Sequence, residues 1–189
     1  ATLKSRPPER ELLFSLKDGT GGMPAKTIGV MAANGGTGKT YFLLALAYFG
    51  SLGQPFGPFV FNRSLRVLFF SLEDDLDEVD RRLWDVASGG RFGDGLYRAA
   101  YPGEVGPLMR LDNGNPERSE YFQWFDSELS KYDSQLDLVI LDTQSRFNGL
   151  SENLNEHGAA FVSALEYLKQ KHGVAIITAA HVSKEAATN

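Results

Sequence analysis

The residues best equipped for chemistry lie in Val30-Met31-Ala32-Ala33-Asn34-Gly35-Gly36-Thr37-Gly38-Lys39-Thr40. The run fits a phosphate-binding loop: a Gly or Ala, four free positions, then Gly-Lys-Thr, with Ala33 where the first glycine usually stands. Gly35, Gly36 and Gly38 can take positive φ, which lets consecutive backbone N–H groups curl around an anion. A helix starting at Lys39 would aim its N-terminal N–H groups and the positive end of its dipole at the same anion. Lys39 would reach the β- and γ-phosphates of a nucleoside triphosphate, and the Thr40 hydroxyl would ligate Mg²⁺. The expected contacts are therefore Ala33, Asn34, Gly35, Gly36, Thr37, Gly38, Lys39, Thr40 and Tyr41.

A second group of residues sits at the ends of other apolar runs. Asp142 closes Leu136-Asp137-Leu138-Val139-Ile140-Leu141-Asp142, the Walker B arrangement, in which the carboxylate holds Mg²⁺ opposite Thr40. Many ATPases place a glutamate directly after that aspartate; here the next residue is Thr143, so a base must come from elsewhere. Glu73, just past Leu68-Phe69-Phe70-Ser71-Leu72, could stand one water from the γ-phosphate and accept its proton. Asp74 and Asp75 read as charge at the start of the following helix. His181 ends a further apolar run and has the two ring nitrogens a phosphate sensor needs, although it reads equally well as a structural histidine. Arg146 would touch a phosphate, a neighbouring subunit or solvent. His157 and His172 read as surface residues, and Trp84, Trp124 and the Phe-rich segments as core or interface.

The elements that must position these groups follow from hydrophobic periodicity. Thr27–Met31, Leu65–Leu72, Leu136–Asp142 and Val174–Ala180 read as strands. Helices are expected from Lys39 to about Gly50, over Leu76, Val79, Leu83 and Val86, over Phe122, Phe125, Leu129 and Tyr132, and over Phe161, Leu165 and Leu168. Asn115-Pro116 reads as the start of the third helix, Asn as N-cap and Pro first in the helix. Phe59-Val60-Phe61 forms a small extra strand or plug, Leu108–Leu111 a short strand, and Tyr97 to Met109 has little periodicity. Alternating strands and helices imply an α/β fold with a mostly parallel sheet flanked by helices, its ligand beyond the carboxyl ends of the strands. Residues 1–22 form a lead-in that covers a sheet edge or packs near the nucleotide, and 1–189 reads as one domain.

Composition narrows the class. With 189 residues, 42% hydrophobic and 23% charged, the chain is ordinary globular protein. No apolar run approaches the roughly 20 residues that cross a bilayer, and the polar, proline-bearing start does not resemble a signal peptide. The absence of cysteine excludes disulfides and thiolate zinc sites and fits the cytoplasm. A net charge of −5 argues against a surface built to coat duplex DNA, though not against DNA held by loops inside a ring.

Four stretches together resemble the RecA-like ATPase superfamily, and more narrowly the hexameric plasmid replicative helicases and their phage and bacterial relatives. They are Ala33–Thr40, Val67–Asp74, Leu138–Thr143 and Thr178-Ala179-Ala180-His181-Val182-Ser183-Lys184. The resemblance implies an ATPase working as a ring, possessed of Glu73 as catalytic glutamate, His181 as γ-phosphate sensor, and Lys184 where a loop toward single-stranded DNA begins. Such proteins continue through further strands that carry an arginine finger, so the C-terminal strands of the pattern are missing here, and the chain reads as a piece of a longer protein or a reduced relative. The leading expectation is a Mg²⁺-dependent ATPase of helicase or DNA-transaction type that forms a homo-oligomeric ring, with a hexamer as one form. A nucleotide-switched binding module with little turnover and a small-molecule kinase are the rivals.

Overall fold

Short apolar runs covered on both sides fold as parallel strands, and the computed structural model, which describes residues 6, 8–132, 135–151 and 154–181, builds its main sheet from them. In chain order the first elements are β1 (Leu12–Leu16), β2 (Gly22–Pro24), β3 (Ile28–Ala33), α1 (Lys39–Leu52), β4 (Phe59–Val60), β5 (Val67–Ser71) and α2 (Leu76–Val86). They are followed by β6 (Leu96–Ala100), β7 (Met109–Asp112), β8 (Asn115–Arg118), α3 (Glu120–Ser130), β9 (Leu138–Asp142), α4 (Gln144–Asn148), α5 (Asn155–His172) and β10 (Ala175–His181). The main sheet has five strands in the order β3-β10-β9-β5-β6, all parallel. All five carboxyl ends therefore share one rim.

Side chains alternate across that sheet, so each strand feeds two cores. Val67 and Phe69 of β5, Leu138 and Ile140 of β9, and Ala175 and Ile177 of β10 pack with Leu43, Leu44, Val79 and Leu83 from α1 and α2. Leu68 and Phe70, Val139 and Leu141, and Ile176 face the other way and pack with Phe125, Phe147, Phe161 and Leu165 from α3, α4 and α5. Fully burying one such side chain contributes roughly 1.5–3 kcal/mol, which makes this double layer the frame on which the rim is held.

Strand β1 of the lead-in joins β2 and β4 in a second sheet, antiparallel and three-stranded, in the order β2-β1-β4. Phe14 meets Phe59 and Phe61 edge-on, with ring centroids 5.1 and 5.7 Å apart. Met23 lies against Gly29 of β3, which places the small sheet beside the edge strand of the large one.

Several expectations are corrected. Asn115-Pro116 does not start a helix: Asn115–Arg118 is β8, paired with β7 so that Asp112 faces Asn115. The two residues between them, Asn113 (φ 48°) and Gly114 (φ 83°), make the positive-φ turn that an Asn-Gly pair favours in a hairpin. Helix α3 starts at Glu120 instead, capped by Ser119, whose Oγ accepts from the Tyr121 N–H at 3.1 Å. Tyr132 lies beyond the helix and packs on Tyr97 at 5.1 Å. Leu96–Ala100, which enters the stretch from Tyr97 read as having little periodicity, is a parallel edge strand on β5. Leu76 and Trp84 are 43% and 59% exposed, so neither is core.

His157 and His172 are buried, 8% and 5% exposed, contrary to the surface reading. The His157 Nδ1 accepts from the Ser151 N–H at 3.2 Å. His172 Nε2 donates to Asp126 Oδ1 at 2.7 Å, and Lys171 donates to Asp126 Oδ2 at 2.6 Å, which clamps α3 to the last turn of α5. Burial works to raise the Asp126 carboxyl, but the hydrogen bonds from Lys171 and His172 outweigh it and hold it below the usual carboxylate value.

Asp126→Asn is expected to lower the unfolding free energy by about 1–3 kcal/mol at neutral pH, because buried His172 keeps only a weaker partner. The folded carboxyl titrates below the unfolded one, so its contribution is present above the unfolded value and fades as pH falls through the folded value. Urea unfolding of both chains at neutral and strongly acidic pH checks this. The gap between them should close in acid, and a gap that stays constant would count against the ion pair.

Candidate active site

The rim of the sheet gathers the chemistry. β3 ends at Ala33 and the chain turns through Asn34 to Gly38 into α1. Gly36 (φ 73°) and Gly38 (φ 83°) adopt the left-handed conformation that L side chains avoid, whereas Gly35, expected to share it, does not have a positive φ. Gly38 is the N-cap of α1 and offers no side-chain cap, so the first N–H groups of the helix face the space over the loop. Thr37 Oγ1 closes the turn by donating to the Asn34 carbonyl at 2.8 Å.

Lys39 is buried, 6% exposed, and folds back over the loop. Its Nζ donates to the carbonyls of Ala33 and Asn34, both at 2.9 Å, and lies 3.2 Å from His181 Nδ1. An ammonium can only donate, so Nδ1 is the acceptor and His181 carries its proton on Nε2. The register of β10 against β3 sets this meeting, because His181 lies directly beside Ala33.

Asp142 is fully buried at the end of β9. Its Oδ2 accepts from the Thr40 hydroxyl at 2.8 Å, and its Oδ1 has no partner among the described residues. Burial pushes the carboxyl up to about 6, repulsion from Glu73 and Asp74 adds to this, and the Thr40 hydroxyl and Arg82 pull the other way. A hydroxyl and a carboxylate with an orphaned, inward-facing oxygen form the all-oxygen donor set a hard dication such as Mg²⁺ takes, and such a charge would stabilise the ionised carboxylate. The two residues fit that ion.

Glu73 follows β5 on a loop pinned by Ser71, whose Oγ accepts from the N–H groups of Glu73 and Asp74 at 3.2 and 3.0 Å. The Leu72 N–H donates to the Asp142 carbonyl at 3.0 Å, which ties this loop to the end of β9. The Glu73 carboxylate accepts from Thr143 Oγ1 at 3.2 Å. Asp75 caps α2 by accepting from the Glu78 N–H at 2.8 Å, the helix-start role expected of it. Asp74 instead accepts from Arg82 at 2.6 Å.

One pocket of about 390 Å³, large enough for a small molecule, is lined by Gly36, Gly38, Lys39, Thr40, Tyr41, Glu73, Arg82, Thr143 and His181. Most of the expected site residues thus meet, while Asp142 lies beneath it, bonded to Thr40. Arg146 is exposed and does not line it; Lys184 lies outside the described residues. Two lining residues were missed. Arg82 stands 5.7 Å over the Tyr41 ring and bonds Asp74 and Glu78; its position in the second turn of α2, the helix that follows Glu73, was the available signal. Thr143 was passed over because it is not a glutamate.

An edge strand running through a glycine loop into a helix, with an acidic residue closing a nearby parallel strand, defines a P-loop NTPase of RecA-like fold. A family model described as an AAA domain matches residues 1–187, and the chain belongs to that family; it is a nucleotide-binding domain of the ATPase type. The comparison with curated proteins finds no match.

Nothing lies within 4 Å of a Cβ built on Gly38, so Gly38→Ala costs only its left-handed backbone, about 1–2 kcal/mol. Thermal unfolding should fall by several degrees, and nucleotide affinity should fall with it as the loop relaxes. Unchanged melting and affinity would show that the loop does not depend on this φ.

Proposed function

We propose that this chain is a Mg²⁺-dependent ATPase domain that hydrolyses ATP by positioning water against the γ-phosphate. The observation that carries the reading is the convergence of Lys39, the Thr40–Asp142 pair, Glu73 and His181 from the carboxyl ends of four parallel strands on one pocket. The loop N–H groups and the α1 N-terminus hold the β- and γ-phosphates, and Lys39 leaves the Ala33 and Asn34 carbonyls to bind them. Thr40 and Asp142 would hold Mg²⁺, which supplies positive charge against the phosphate oxygens when bound. The Glu73 carboxylate takes a proton from water as its oxygen bonds to the γ-phosphorus and the bond to the β–γ bridging oxygen breaks, giving ADP and inorganic phosphate. His181, released by Lys39, is free to bond the γ-phosphate. Tyr41, 39% exposed at the pocket rim, is placed to flank the nucleotide.

We further infer that this ATPase serves a DNA transaction of the replicative-helicase kind, as a homo-oligomeric ring that takes an arginine from a neighbouring copy and acts on single-stranded DNA. Support comes from the resemblance carried by the Glu73 and His181 strand ends and from exposed Trp84 on α2, which suits a subunit contact. A nucleotide-switched binding module is the second reading. It is favoured by Arg82, the one arginine lining the pocket among the described residues, being already engaged by Asp74 and Glu78.

ATP hydrolysis by the purified chain, with and without single-stranded DNA, tests these readings. Lys39→Ala should abolish nucleotide binding or turnover. Glu73→Gln should keep nucleotide binding and lose roughly 10²–10⁴ in kcat; retained turnover would refute Glu73 as the base. Stimulation by DNA supports the motor, turnover without stimulation keeps the ATPase and removes the helicase role, and binding without turnover favours the switch.

A further inference from the structure

We propose that Thr143 is a positioning residue for the reaction: its hydroxyl fixes the direction in which Glu73 meets the attacking water. The inference rests on the reading of Glu73 as the base.

Thr143 follows Asp142 and occupies the N-cap of α4, a place where a threonine hydroxyl normally accepts from a backbone N–H of the first turn. Here it makes no such bond. The hydroxyl is turned the other way and donates to Glu73 Oε2 at 3.2 Å. Thr143 is 4% exposed, so the donor is anchored in the protein interior while the carboxylate it holds stands in the open pocket.

A hydroxyl has one hydrogen to give. With that hydrogen committed to Glu73, Ser145 Oγ, 3.2 Å from Thr143 Oγ1, is the donor in its own contact with Thr143. The result is a short directed chain, Ser145 to Thr143 to Glu73. It engages Oε2 and leaves Oε1 free to take the proton from water. No other side chain among the described residues bonds the Glu73 carboxylate. Without Thr143, a long glutamate side chain on a loop would sample its rotamers freely. The position where other ATPases carry the base thus carries its holder, and the base arrives from the neighbouring strand.

The test compares kcat, KM and nucleotide affinity of the 189-residue chain with those of Thr143→Val, which keeps the shape and removes the donor. The expected result is a roughly tenfold loss in kcat, the rate equivalent of one hydrogen bond, with KM and affinity unchanged. Thr143→Ser should restore most of the rate, and Thr143→Val should add nothing in a Glu73→Gln background. Ser145→Ala, on an exposed side chain, gives a second reading if the valine variant does not fold: kcat should fall about two- to threefold as the Thr143 hydroxyl is freed to rotate. Wild-type kcat in Thr143→Val, or the same loss with and without Glu73, overturns the proposal and leaves Glu73 as the base. Full turnover in Glu73→Gln overturns the base and this inference with it.

Discussion

The bond from the Thr40 hydroxyl to the buried Asp142 carboxylate is the constraint on which the site depends. It joins the first turn of α1 to the end of β9 across the intervening strand β10. A carboxylate inside an apolar double layer is costly unless something answers its charge. One of its oxygens is answered by Thr40 and the other by nothing among the described residues. In the proposed reading a bound cation answers that oxygen, and the packing of β9 between β10 and β5 keeps the group from withdrawing.

The rest of the rim is set by register. Asp142 pairs with Ser71, His181 with Ala33. A slip of one residue in either ladder would turn these side chains to the opposite face; β5, β9 and all of β10 but His181 are buried on both faces and resist the slip, while β3 is the partly exposed edge strand paired to β10. Core and site are therefore one problem: the alternation that fills the two cores also decides which residues reach the pocket. The same burial separates Asp142 from Glu73, one inside and one on an exposed loop; the proposed reading gives the first to a metal and the second to water.

Much of this was legible in the sequence. The glycine loop, the four strongest strands and the acidic and histidine strand ends carry local signals, and the fold follows from them. What escaped was decided by tertiary context. Strand β6 reads Leu-Tyr-Arg-Ala-Ala, a run broken by an arginine and without a β-branched residue, and it exists because β5 offers an open edge. The third helix was placed too early because Asn115-Pro116 imitates a helix start, whereas the Asn113-Gly114 turn just before it makes a hairpin. His157 and His172 looked solvated because nothing local reveals Asp126 or Ser151 as partners. Thr143 was overlooked for a related reason: its importance lies in a bond to a residue 70 positions away.

The resting position of Lys39 shows how the loop avoids an unanswered charge before a ligand arrives. Its three ammonium donors meet three acceptors: the Ala33 and Asn34 carbonyls and His181 Nδ1. In the proposed reading phosphate binding exchanges these contacts for phosphate oxygens, so affinity reflects a difference between two satisfied states and not a charge waiting in a void. The exchange also frees the imidazole at the end of β10 and two carbonyls at the end of β3. In the proposed reading, occupancy of the loop is thereby communicated to the neighbouring strand without movement of the sheet. The message is carried by a side chain leaving one set of acceptors for another.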